Sequence, residues 1–150
     1  MITPFQLLFA ALMAMFPHSP AVGCLRTNEA QIVVDAQAAS SAYGVPAGLL
    51  YIVAFRETHV GCDAASGGNW GAPISSTRRH TAGNANSAAS ALALGYRACR
   101  SSWRGAVSHF RCGLCRCPDN RRDFAEYVPW VMIKARQIYT RAAQPVPPGL

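Results

Sequence analysis

The sequence predicts a mainly α domain, stabilised by disulfides and interrupted by one long irregular loop. Three observations carry this. Apolar residues recur at helical spacing in five segments, whereas strand-like alternation is nearly absent. Residues 61 to 86 are rich in Gly, Ser, Thr and Asn and show little periodicity. All six cysteines lie at or after Cys24. At 150 residues the chain suits a single domain, and 51% hydrophobic with 14% charged residues excludes a solvated disordered chain.

From the start of the chain, Phe5 to Phe16 is an uncharged apolar run, followed by Pro17, Pro20 and small residues. It is too short to cross a membrane as a helix and fits the core of a signal peptide over residues 1–23. The n-region lacks Lys and Arg. The competing reading is a buried N-terminal helix. A cut after Ala21 or after Gly23 is expected, and Ala21-Val22-Gly23-Cys24 also resembles a degenerate lipoprotein box that would lipidate Cys24. The expected localisation is therefore periplasmic or secreted, with no transmembrane anchor.

The folded domain is expected over residues 24–142. A first helix from about Asn28 to Ala42 is capped by Thr27 or Asn28, places Ile32, Val33, Ala36 and Ala39 on one face, and stops at Tyr43-Gly44. Pro46 suits the first turn of a second helix whose Leu49, Leu50, Ile52, Val53, Ala54 and Phe55 make it apolar nearly all round, so it belongs inside. After the long loop, helices are expected from Ser87 to about Cys99, from Ser101 or Ser102 to about Arg111, and from about Asp123 to Arg141. Residues 143–150, with three prolines, read as a loose tail.

Cys24, Cys62, Cys99, Cys112, Cys115 and Cys117 suit three disulfides in an oxidising compartment. Their pairing stays open among 15 arrangements, with Cys115 and Cys117 expected to take different partners. The alternative, a zinc site from His109, Cys112, Cys115 and Cys117, lacks a familiar finger spacing, so no metal or other cofactor is expected. The net charge is +7, and 13 of the 14 basic residues are arginine. They are scattered without a basic helix or a nucleic-acid motif, which points away from nucleic acid and toward an envelope polyanion such as peptidoglycan.

One carboxylate stands out. Glu57 follows the apolar run of the second helix and shares a face with Leu50, Val53 and Ala54. Apolar surroundings and the negative end of the helix dipole both disfavour its ionised form. A neutral carboxylic acid in a cleft can protonate a glycosidic oxygen and later take a proton back.

The segment Tyr43-Gly44-Val45-Pro46 with Leu49-Leu50 and Ile52-Val53-Ala54-Phe55-Arg56-Glu57-Thr58 resembles the opening motif of the soluble lytic transglycosylases, relatives of goose-type lysozyme. Glu126-Tyr127-Val128-Pro129-Trp130-Val131 is similar to the family's late Tyr-Val motif. The resemblance covers about Ile32 to Tyr139. It implies a lysozyme-like helical fold, Glu57 as general acid and base, Thr58 in place of the usual serine, and contact between Tyr127 and Glu57. It further implies cleavage of the MurNAc-GlcNAc β-1,4 bond by attack of the sugar's own 6-hydroxyl, leaving a 1,6-anhydro end.

The sequence departs from the family in two places. The family's Gly-Leu-Met-Gln is represented by Gly71-Ala72-Pro73-Ile74. In its Ala-Tyr-Asn-Ala-Gly, Phe110 stands for the tyrosine and Arg111 for the asparagine. Thr58, Trp70, Gly71, Phe110, Arg111 and Tyr127 are thus the expected substrate-binding residues, Trp70 through its ring face. Asp63 is the only acid near Glu57 in sequence. A muramidase using water would need a second carboxylate such as Asp63, whereas the intramolecular route needs only Glu57. The rival from another class is an inactive glycan-binding module within an envelope secretion or conjugation complex.

Overall fold

The computed structural model describes residues 1–63, 68–71 and 85–150. Seven helices are present and no strand occurs among the described residues: α1 Pro4–Met15, α2 Val22–Thr27, α3 Glu29–Tyr43, α4 Ala47–Thr58, α5 Ala85–Ala98, α6 Trp103–Cys112 and α7 Arg122–Arg141. The five helices expected from periodicity correspond to α3 to α7. Gly44 ends α3 in the left-handed conformation at φ 66°. Ser102 caps α6 by accepting from the Gly105 amide at 3.0 Å. At α3 the expected side-chain cap is missing, because the Asn28 amide group turns back to donate to the Cys24 carbonyl.

The centre is α4, where every residue from Ala47 to Phe55 is buried. It packs against α1, α3, α5 and α7. Burying side chains such as Leu49, Leu50, Ile52 and Val53 stabilises the fold by roughly 1.5–3 kcal/mol each. A helix enclosed on all sides has no solvent face, which is why its sequence shows a run rather than a stripe. Elsewhere helices approach closely through glycine: a Cβ built on Gly95 of α5 would meet Ala106 Cα of α6 at 3.1 Å.

Three segments carry structure beyond the five expected helices. Residues read as the core of a leader form α1, whose Leu8, Phe9 and Leu12 are buried. The helix packs on α3, α4 and α7, and the Tyr51 hydroxyl of α4 donates to the Phe5 carbonyl at 3.4 Å. The six-residue α2, spanning the expected cut sites, was not anticipated. The tail is not loose at its end, because Leu150 folds back against the core.

The disulfides are Cys24–Cys62, Cys99–Cys115 and Cys112–Cys117. Cys115 and Cys117 do take different partners. A sulfur bonded to Cys62 cannot carry the thioether of a lipid, so the lipoprotein reading of Cys24 is incompatible with this pairing. The zinc alternative likewise loses its thiolates. No helix among the described residues is long and apolar enough to cross a membrane.

Candidate functional site

The buried run of α4 ends at Phe55, and its last turn carries Arg56, Glu57 and Thr58 into a sharp reversal. His59 and Val60 are both left-handed, at φ 50° and 56°. Such a pair of non-glycine residues is uncommon and is held here by the Val60 amide donating to Ala54 and the Asp63 amide to Thr58. Thr58 fastens the following loop. Its hydroxyl donates to the Asn69 carbonyl at 2.5 Å and accepts from the Gly61 amide at 2.9 Å. Asn69 in turn accepts from the Gly71 amide through its side chain at 2.6 Å.

This chain of bonds lays Gly71 directly on Glu57. Gly71 has φ 86°, and a Cβ built on it would overlap Glu57 Cβ and come within 2.5 Å of its Cγ. Both conformation and space require glycine there. The Glu57 side chain is left 20% exposed.

Two other helices face that carboxylate. From α6, Arg111 brings Nη1 to 3.9 Å from Glu57 and Nη2 to 3.5 Å from Asp123 on α7. Its guanidinium lies over the Tyr127 ring, 5.1 Å from the centroid, and its Nε is buried without a hydrogen-bond partner. From α7, Tyr127 is 2% exposed. Its hydroxyl is also buried and forms no full hydrogen bond. Burial first, then the neighbouring Glu57 carboxylate, push the phenol well above its ordinary pKa of 10.0. Tyr127 is therefore a protonated donor directed at Glu57. Asp123 is pushed up by desolvation, but bonds from Arg121 and the charge of Arg111 outweigh this and hold the carboxyl below its ordinary range.

Glu57, Arg111, Tyr127 and Gly71 thus converge. Thr58 adjoins them but is committed to holding the loop. Trp70 is 4% exposed and Phe110 3%, so both are core side chains and Trp70 presents no free ring face for a sugar. Arg56 lies over the Trp130 ring at 5.3 Å, on a different side of α4 from Glu57. Asp63 accepts from His59 Nδ1 at 2.5 Å, and the His59 ring meets Phe55 edge-on. Ala72, Pro73 and Ile74, counterparts of the family's Gly-Leu-Met-Gln, lie outside the described residues, as does His80.

Glu57 was expected in apolar surroundings. The helix beneath it is apolar, but the guanidinium across from it is not. Asp123, the second anion beside Arg111, had no role in the sequence analysis, since nothing in its local spacing ties it to α6. A groove of about 540 Å³ between α6 and α7 is lined by Ser102, Arg104, Phe124 and Pro129 among others, and contains none of Glu57, Arg111 or Tyr127.

Chemically, the convergence offers one carboxyl able to exchange a proton, a phenol held neutral, and guanidinium donors without hydrogen bonds among the described residues. Compared with known proteins, the chain matches no family model, no curated protein and no solved structure, so its likeness to the transglycosylases rests on the motif residues quoted above.

Proposed function

We propose that this protein cleaves peptidoglycan glycan strands as a lytic transglycosylase, with Glu57 as the single acid and base. The observation that carries the reading is the setting of Glu57: the end of a wholly buried helix, clasped by Gly71, with the neutral Tyr127 hydroxyl directed at it. Glu57 protonates the glycosidic oxygen as the bond to the muramyl carbon breaks. The resulting carboxylate then accepts the proton of that sugar's 6-hydroxyl as its oxygen closes on the same carbon, giving the 1,6-anhydro end. Tyr127 orients the carboxyl through both steps.

The preference for an intramolecular nucleophile is supported by the other acids. Asp63 is tied to His59, and Asp123 lies on Arg111 and Arg121. Neither is free to position a water opposite Glu57, as a two-carboxylate hydrolase requires. Three disulfides support an exported protein acting at the envelope.

The test is digestion of purified sacculi with mass spectrometry of the released muropeptides. Anhydro-terminated products are expected, with turnover lost in Glu57→Gln while glycan binding persists. Reducing ends one water heavier would assign a muramidase. Binding without release by the parent protein would assign the glycan-binding module.

A further inference from the structure

We infer that Arg111 forms a carboxylate-receiving subsite beside Glu57, so that this site selects anionic glycans bearing a carboxylate on or attached to the muramyl unit; this rests on the glycan-cleaving reading above. Arg111 is anchored from below and left unsatisfied in front. Its guanidinium lies over the rings of Tyr127 and Phe124, at 5.1 and 5.9 Å. That fixes its plane between two helices.

Yet none of its nitrogens makes a hydrogen bond among the described residues. The approaches to Glu57 and Asp123, at 3.9 and 3.5 Å, are ion-pair contacts rather than bonds, and Nε is buried with no acceptor. The Arg111 side chain is 33% exposed, so its Nη donors are open to an incoming acceptor, and a planar guanidinium is the side chain best matched to two carboxylate oxygens.

A second observation lies at the same place: the hydroxyl of Tyr127, a residue 2% exposed, is directed at Glu57 without a completed hydrogen bond among the described residues. Arg111 and Tyr127 thus meet Glu57 from different helices, and an acceptor arriving with the substrate would complete the exposed donors of Arg111 while Tyr127 stays directed at Glu57. The charges around it permit an anion. Asp123 is held ionised by the arginines beside it, and the guanidiniums of Arg111, Arg121 and Arg56 all lie around this region. Arg121 occupies Asp123 with two bonds of 3.1 Å, which leaves Arg111 incompletely neutralised.

The carboxylate has two sources, the lactyl group of an unsubstituted muramyl residue or the stem peptide. Glycan strands with and without stem peptides, each with carboxylates either free or converted to amides by carbodiimide and ammonia, separate them. For the wild-type protein, kcat/KM is expected to fall about tenfold or more on amidation, the loss typical of a charge-assisted pair. Arg111→Gln should lower the free-carboxylate strands to the level of the amidated ones, and Arg111→Lys should keep part of the preference. The same change at exposed Arg136 should preserve it, which distinguishes local contact from general attraction to a cationic protein.

A preference confined to peptide-bearing strands assigns the stem-peptide carboxylate, and one present on stripped strands assigns the lactyl group. Loss of the preference in wild type on both strand types, or its survival in Arg111→Gln, overturns the subsite while cleavage stands. If wild type cuts no strand, the cleavage reading fails separately. The same ratio is then read from retention of the strands by immobilised protein, where equal retention of charged and amidated strands overturns the subsite as well.

Discussion

Helix α7 sends two tyrosines to opposite ends of α4, and they are treated differently. At the N-terminal end, Tyr139 accepts a hydrogen bond from the Gly48 amide at 3.0 Å, satisfying one of the donors that a helix start leaves without an internal partner. At the C-terminal end, Tyr127 is buried still more deeply, meets a carboxylate and an arginine, and has no completed bond. A hydroxyl whose bond is made contributes to stability. One left unmade at comparable burial costs stability, and is retained where a ligand completes it. The contrast gives α4 a scaffold end and, under the proposed function, a site end.

The largest expected effect separates two glycines that the tyrosines overlook. Gly71→Ala should reduce glycan cleavage about a hundredfold, because its methyl would displace the Glu57 side chain and misplaced reacting groups lose rate steeply. Gly48→Ala should instead lower stability by about 1–3 kcal/mol in denaturant titration, since its methyl would meet the Tyr139 ring at 2.5 Å and Ile138 at 2.7 Å, with activity per folded molecule retained. Exchange of those two outcomes would reverse the assignment of the ends.

Tyr127→Phe should lower activity about tenfold and leave the melting temperature unchanged or slightly raised, because a buried unsatisfied hydroxyl is removed. Tyr139→Phe should do the reverse, costing about 1–3 kcal/mol by stranding the Gly48 amide. Equal stability losses in the two variants would break the comparison.

A smaller effect is expected in alkali. Burial pushes the phenols of Tyr51, Tyr127 and Tyr139 above their ordinary 10.0 in the folded protein. The unfolded chain therefore releases these protons first. The linked stability is complete below pH 10 and declines as pH rises beyond it. Melting curves across that range, followed together with phenolate absorbance, should show unfolding and ionisation coinciding. Ionisation of all three in still-folded protein would contradict their burial.

The sequence made the scaffold end more legible than the site end. Ile32, Val33 and Ala36 at helical spacing, Gly44 as a stop and Ser102 as a cap are local signals, and α3 to α7 follow from them. Glu57 was legible because the apolar run beneath it is also local. The approach of Arg111 was not, since periodicity describes a helix's own faces and is silent on which neighbour crosses it. Arg111 drew notice only as a substitute for asparagine. Trp70 beside glycines looked like a sugar platform, and its burial follows from how Thr58 and Asn69 fold the loop, which spacing does not encode. The apolar start has one composition for two physical uses, leader and buried helix, and α1 takes the second form in this structure.

The order of the cysteines along the chain has a consequence for biogenesis. Cys24 and Cys62 follow one another with no cysteine between them, so an oxidant meeting an emerging chain joins them correctly at the first opportunity. The remaining four interlock, because Cys112 precedes Cys115 while bonding Cys117, and Cys115 bonds back to Cys99. The same oxidant meets Cys99 and Cys112 as the first available pair, which is the wrong one. Maturation of the α5–α6 end should then depend on thiol exchange by an isomerase, whereas closure around α3 and α4 should not. In cells lacking disulfide isomerase activity the protein should accumulate with its first bond correct and its last two scrambled.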